Sequence, residues 1–184
     1  LPQMQMFTYS MSSSAEAFAE DGEFNGFDLN TYFKAKKVGT SYEFERPNDV
    51  SAFLDLIRGK KQLHQGLIDG DKPPFPYEAD KFKEAVEHAI WFMPDVASCE
   101  AMAELLRKDP YFSSLVIYVA AGTKAGIGAN ALPPLRKAMK DGIAQGKAGS
   151  ITLSCGKLMT GVTVPEWTSI FMLRSLRAPE SYFQ

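Results

Sequence analysis

Histidine and cysteine are nearly missing from this chain, with two of each among 184 residues. His64 and His88 stand apart, and no CxxC or HxxxH spacing exists, so these residues build no zinc site. Nor can two unclustered histidines support a Ser-His-Asp or Cys-His set, and no catalytic residue is expected in this chain. Cys99 and Cys155 both lie in apolar stretches, the pattern of buried free thiols in a reducing compartment. Excess charge of one sign is also missing: 20 Lys and Arg face 22 Asp and Glu, for a formal net charge of −2. Nucleic acid is therefore not announced by charge alone, although a local face can bind DNA within an acidic chain. No apolar run reaches the length of a membrane span, and LPQMQMFTY at the N-terminus carries neither a basic leader nor a signal-like apolar core. The expectation is a cytoplasmic protein with no membrane partner. The first residue is not Met and the last residues carry no natural stop signal, so the chain reads as an excised segment.

What is present is an α/β pattern that sharpens along the chain. Residues 1–85 read as an irregular N-terminal extension packing on, or leading into, a lobe formed by 86–184. Met6 to Tyr9 is a possible strand. Residues 10–30 are rich in Ser, Glu, Gly and Asn and read as a loop with one turn of helix at most, pinned by Phe18, Phe24 and Phe27. Lys34, Lys36 and Lys37 read as a solvated face. A helix is expected over 48–58, with Asn48 as its cap and Val50, Phe53, Leu54 and Ile57 on one face. Residues 59–80 lose periodicity and carry Pro73, Pro74 and Pro76, as in a connection crossing the surface. His64 lies in this stretch with no Cys, Ser or carboxylate constellation beside it.

From residue 86 the pattern becomes regular. Ala89 to Met93 is an unbroken apolar run closed by Pro94, as a strand buried on both faces requires. Asp95 can cap the helix that follows, where Val96, Cys99, Met102, Ala103, Leu105 and Leu106 recur at helical spacing. The alternation predicts strands 88–93, 114–120, 150–154 and 168–173 in one parallel sheet, flanked by helices 95–108 and 132–145. Residues 121–130, AGTKAGIGAN, invite a phosphate-loop reading, but the lysine lies between the glycines and neither GxxxxGK[ST] nor GxGxxG is formed. They read as a connecting loop. Glu84 and Glu87 sit at helix-surface spacing and read as solvated.

The chain is organised around residues 150–173, SITLSCGKLMTGVTVPEWTSIFML. A short apolar strand ends at Ser154, Gly156 breaks it, and a polar loop follows to Gly161, whose backbone can approach a ligand without steric cost. In parallel α/β sheets, ligands bind outside the carboxyl ends of the strands. Phosphate contacts need donors rather than a particular base edge, which makes Ser154, Gly156, Lys157, Thr160 and Gly161 chemically suitable.

GKLMTGVTVPEW followed by SIFMLRSLRAPESYFQ resembles motif V and the approach to motif VI of superfamily-2 helicases. More narrowly, it is similar to the helicase-like subunits of bacterial restriction systems and their phage-borne relatives. Thr160-Gly161 matches the motif V pair, Val164-Pro165 matches its end, Thr163 stands where many members carry Asp, and Tyr182 to Gln184 opens motif VI. The resemblance implies a RecA-like lobe of P-loop-NTPase type without its own Walker A loop: the second motor lobe of an ATP-dependent DNA helicase or translocase. It implies cofactor contacts at Gly161, Thr163 and Gln184 and nucleic-acid contacts at Ser154, Gly156, Lys157 and Thr160. The implied partners are DNA and a preceding RecA-like lobe, with ATP and Mg2+ bound by the full-length protein and none by this piece. Read without the resemblance, the residues leave two alternatives: a self-contained α/β domain binding a small phosphorylated ligand or a protein partner, or a small enzyme of flavodoxin-like fold.

Overall fold

Four short apolar segments pair side by side into one all-parallel sheet in the computed structural model, which describes residues 6, 28–60, 75–78, 84–122, 128–156, 158 and 162–176. In chain order the elements are α1 (Leu29–Tyr32), β1 (Ala35–Val38), β2 (Ser41–Phe44), α2 (Pro47–Ile57), β3 (His88–Phe92), α3 (Val96–Lys108), β4 (Val116–Ala120), α4 (Leu132–Ala144), β5 (Ser150–Ser154) and β6 (Ser169–Met172). The sheet order is β4-β5-β3-β6, with Trp91 of β3 level with Leu153 of β5 and Phe171 of β6. β1 and β2 form a separate antiparallel hairpin.

The strands form where expected because the two central ones are covered on both sides, which requires continuous apolar or small residues. All five residues of β5 are buried, and so are Ala89 to Met93 in and just past β3. Alternation sends successive side chains to opposite faces. Ala89, Trp91, Ile151, Leu153 and Phe171 enter the core beneath α3, together with α1, α2 and the hairpin. Ile90, Phe92 and Ala120 meet Leu135 and Met139 of α4, with Leu158 and Val164 from the connection between β5 and β6. Trp91 is fully buried, 5.3 Å from Phe171 and 6.2 Å from Phe112 between ring centroids. Such aromatic pairs contribute roughly 0.5–1.5 kcal/mol each beyond simple burial.

Helix α3 starts where Pro94 closes the apolar run. The Asp95 carboxylate accepts from the Ser98 N–H at 2.7 Å and its hydroxyl at 2.6 Å, satisfying a donor that the first turn leaves free. Pro133 and Pro134 sit in the first turn of α4, where a missing N–H costs nothing.

The amino-terminal third holds more structure than its composition suggests. The lysine cluster lies on and beside the hairpin, with Lys34, Lys36 and Lys37 exposed as expected and Lys34 3.4 Å from Glu45. Helix α2 begins at Pro47, so Asn48 lies inside it rather than capping it. Within the expected surface connection, Phe75 and Tyr77 are buried, Tyr77 against Trp91, Phe112 and Phe171. That part of the connection therefore belongs to the core. The possible strand at 6–9 and most of 10–30 lie outside the described residues.

Candidate functional site

The crossovers between the described strands define a switch point at the carboxyl edge of the sheet. β3 leaves through α3 on one face, and β5 leaves through the 155–168 connection, whose Leu158, Val162, Val164 and Trp167 pack on the other face. Adjacent strands whose exits part to opposite faces form a topological switch point, and ligands of open α/β sheets bind there, outside the carboxyl ends. Here it lies between the ends of β5 and β3. Past the last paired residues, Met93 N–H still bonds Ser154 O at 2.8 Å and Leu173 N–H bonds Phe92 O at 2.9 Å, so the ends of β5, β3 and β6 are held in line.

Two of the expected contact residues stand at this edge. Ser154 ends β5 fully buried, its hydroxyl donating to Ala120 O at 3.2 Å. That bond ties β5 to β4, so Ser154 serves as a strut in this arrangement. Gly156 is exposed, with φ of 146° and open space where a Cβ would stand, so its backbone faces solvent at the rim. Thr163 is exposed, and its carbonyl accepts from Arg136 of α4 at 3.4 Å. It is held to the helix layer, and no described bond joins it to Ser154 or Gly156. Lys157, Thr160, Gly161 and Gln184 lie outside the described residues.

Within the approach to motif VI, the sequence reading gave no role to Arg174 or Ser175, the residues just past β6. Arg174 Nη1 donates to Cys155 O at 3.0 Å, joining the exit of β6 to the exit of β5. Ser175 is tied to α1 three times: its N–H donates to Asn30 Oδ1 at 3.1 Å, its hydroxyl accepts from Leu29 N–H at 3.0 Å, and its carbonyl accepts from Asn30 Nδ2 at 3.1 Å. The signal in the sequence is slight: Arg174 is the first charged residue after the apolar run that ends β6, the same position that drew attention to Lys157 after β5.

The two thiols meet behind this edge. Cys99, fully buried in the first turn of α3, is pushed far above the ordinary thiol range by its hydrogen bond with half-buried Cys155 and then by burial. Cys99 therefore remains a thiol rather than a nucleophilic thiolate at neutral pH. Among the described residues, no group of three His, Cys, Asp or Glu side chains could hold a metal ion. No helix among them is long and apolar enough to cross a membrane.

No protein-family model matches the chain, and no solved structure matches it. Over 146 residues, 78% of its length, the chain is 30% identical to a Mycoplasma pneumoniae protein named as the C-terminus of a type II restriction enzyme and methyltransferase. The match spans 19% of that relative's length. The chain is thus related to a protein of restriction type.

Proposed function

We propose that this chain is the second motor lobe of an ATP-dependent DNA translocase or helicase of restriction type, contributing one wall of the nucleotide cleft and part of the DNA track. The observation that carries the reading is the exit of β5. The stretch that resembles motif V leaves the central, fully buried strand of an all-parallel sheet at its switch point, where a ligand-facing loop is required. The likeness to a restriction-type protein supports the restriction-type part of this reading.

The described backbone left open at this edge is that of Gly156, and a backbone amide suits phosphate oxygens rather than a metal ion. The described acid near this edge, Asp95, turns its carboxylate to Ser98 of its own helix, so the described residues suit a nucleotide's phosphates better than Mg2+, which takes carboxylate oxygens. In this reading the metal and the lysine loop that cradles the phosphates belong to the preceding lobe. ATP supplies the free energy when bound there, while this chain's residues orient and hold phosphate groups in the cleft between lobes.

The test is ATP hydrolysis by the full-length protein with and without duplex DNA, beside the isolated chain. The expected result is DNA-stimulated turnover by the first and none by the second. Sustained turnover by the rigorously purified chain alone, or a full-length protein indifferent to DNA, overturns the reading.

A further inference from the structure

We infer that Arg174 supplies the cation of a phosphate-binding crevice at the switch point between β5 and β3. The inference deepens the motor reading and rests on it for the source of the phosphate, which is either a nucleotide or nucleic acid.

Topology places the guanidinium. β6 and β5 flank β3 on its two sides, and Arg174 starts just past β6. Its Nη1 nevertheless reaches Cys155 O, just past β5. The side chain must therefore cross the carboxyl end of β3, and its head group lies between the diverging exits of β3 and β5.

Its bonding is incomplete. A guanidinium carries five N–H donors in a flat fork suited to two oxygens of one phosphate. The described bond uses one of them. No described Asp or Glu forms an ion pair with Arg174. Its Nε is buried and has no acceptor. A buried donor left unpaired carries a desolvation cost, larger on a charged group, which an anion beside the guanidinium offsets. The acid at the crevice mouth, Asp95, directs its carboxylate into the first turn of its own helix at Ser98. On the other rim, Gly156 leaves its backbone open to the same space. A purely structural prop for the Cys155 carbonyl needs one donor and no charge. The unneutralised cation is what a phosphate explains.

The experiment compares full-length wild type with Arg174→Gln and Arg174→Lys. One arm titrates ATP without DNA. The other titrates a short duplex without nucleotide over a salt series. Arg174→Gln is expected to weaken binding about tenfold or more in one arm, the equivalent of losing a charge-assisted hydrogen bond, with partial recovery in Arg174→Lys. If DNA is the source, the slope of log affinity against log salt also falls by about 0.9. The arm that moves identifies the source. Variants that fold with wild-type melting temperature and bind within twofold in both arms overturn the crevice. Where Arg174→Gln does not fold, the wild type decides: tripolyphosphate is expected to slow phenylglyoxal modification of Arg174, read by peptide mass, and absence of protection overturns the inference. A wild type without DNA-stimulated ATPase overturns the motor reading and leaves the tripolyphosphate result to stand or fall by itself.

Discussion

Gly149→Ala tests how the entrance of β5 sets the position of its exit. A Cβ at Gly149 would stand 2.1 Å from Glu87 O, 3.0 Å from Glu87 C and 3.3 Å from Glu87 Cα. All three atoms are backbone, so no rotamer relieves the clash. Carbon–carbon contact is comfortable only at about 3.5–4.0 Å, so the entrance of β5 must move by about 1 Å or more. Glu87 O accepts from Ser150 N–H at 2.8 Å and Gly149 O from Val116 N–H at 2.9 Å, so the shift strains bonds to both neighbouring strands. Overpacking of this kind costs about 1–3 kcal/mol, and each weakened hydrogen bond up to about 1 kcal/mol. The sum is about 3 kcal/mol, which lowers the melting temperature of a chain this size by roughly 6–12 °C. Gly142→Ala is the matched control. Its Cβ would meet Val116 Cγ2 at 2.0 Å, but that methyl is a side-chain end on half-buried β4, and Ala gains about 1 kcal/mol of helix propensity. It is expected to cost about 1 kcal/mol or less. Urea unfolding followed by tryptophan fluorescence reads both variants. Gly149→Ala within about 0.5 kcal/mol of wild type, the range of an ordinary surface substitution, would refute the reasoning.

Alkaline pH should destabilise the fold, because Tyr77 and Tyr32 phenols are pushed up chiefly by burial and the Cys99 thiol chiefly by its bond to Cys155. Folding holds these protons more tightly than the unfolded chain, so stability is complete below the unfolded values of about 8.5 for Cys and 10 for Tyr and declines as pH rises past them. Unfolding midpoints that stay flat from pH 8 to 11 contradict this. In the full-length protein, Lys157→Ala should flatten the salt dependence of DNA binding by about 0.9 in log–log slope, and an unchanged slope removes Lys157 from the DNA track.

The lobe from β3 to β6 was legible because a parallel sheet covered on both faces leaves a physical record. Its buried strand β3 is an unbroken apolar run from Ala89, β5 alternates Ile and Leu with small polar residues, and its helices begin at residues such as Asp95 and Pro133 that suit a first turn. The hairpin left a fainter record. Lys36, Lys37 and Val38 are all exposed, so β1 lacks the alternation that marks a half-buried strand. Phe75 stands between prolines and Tyr77 just past them in an aperiodic stretch, both are buried, and Tyr77 packs against Trp91 and Phe112 only through tertiary structure. At the candidate site, the end of β5 could be found from Ser154 and Gly156 alone. Arg174 could not, because its reach has meaning only once β3 is known to lie between β5 and β6. Ser154 shows the converse: a hydroxyl at a strand end reads as a ligand donor, while in the fold it is spent on Ala120 O.

The bonds between Ser175 and α1 order events in time. Leu29 and Asn30 are held by a residue about 145 positions later in the chain. During synthesis at about 5–20 residues per second, that interval is roughly 7–30 s. Through it, α1 exists without its anchor, and the hairpin and α2 face a core whose last strand has not emerged. The earliest of these segments to be made is thus among the last to be fastened. A ribosome stalled before Ser175 would present α1 open to protease, and the same segment would become resistant once Ser175 is in place.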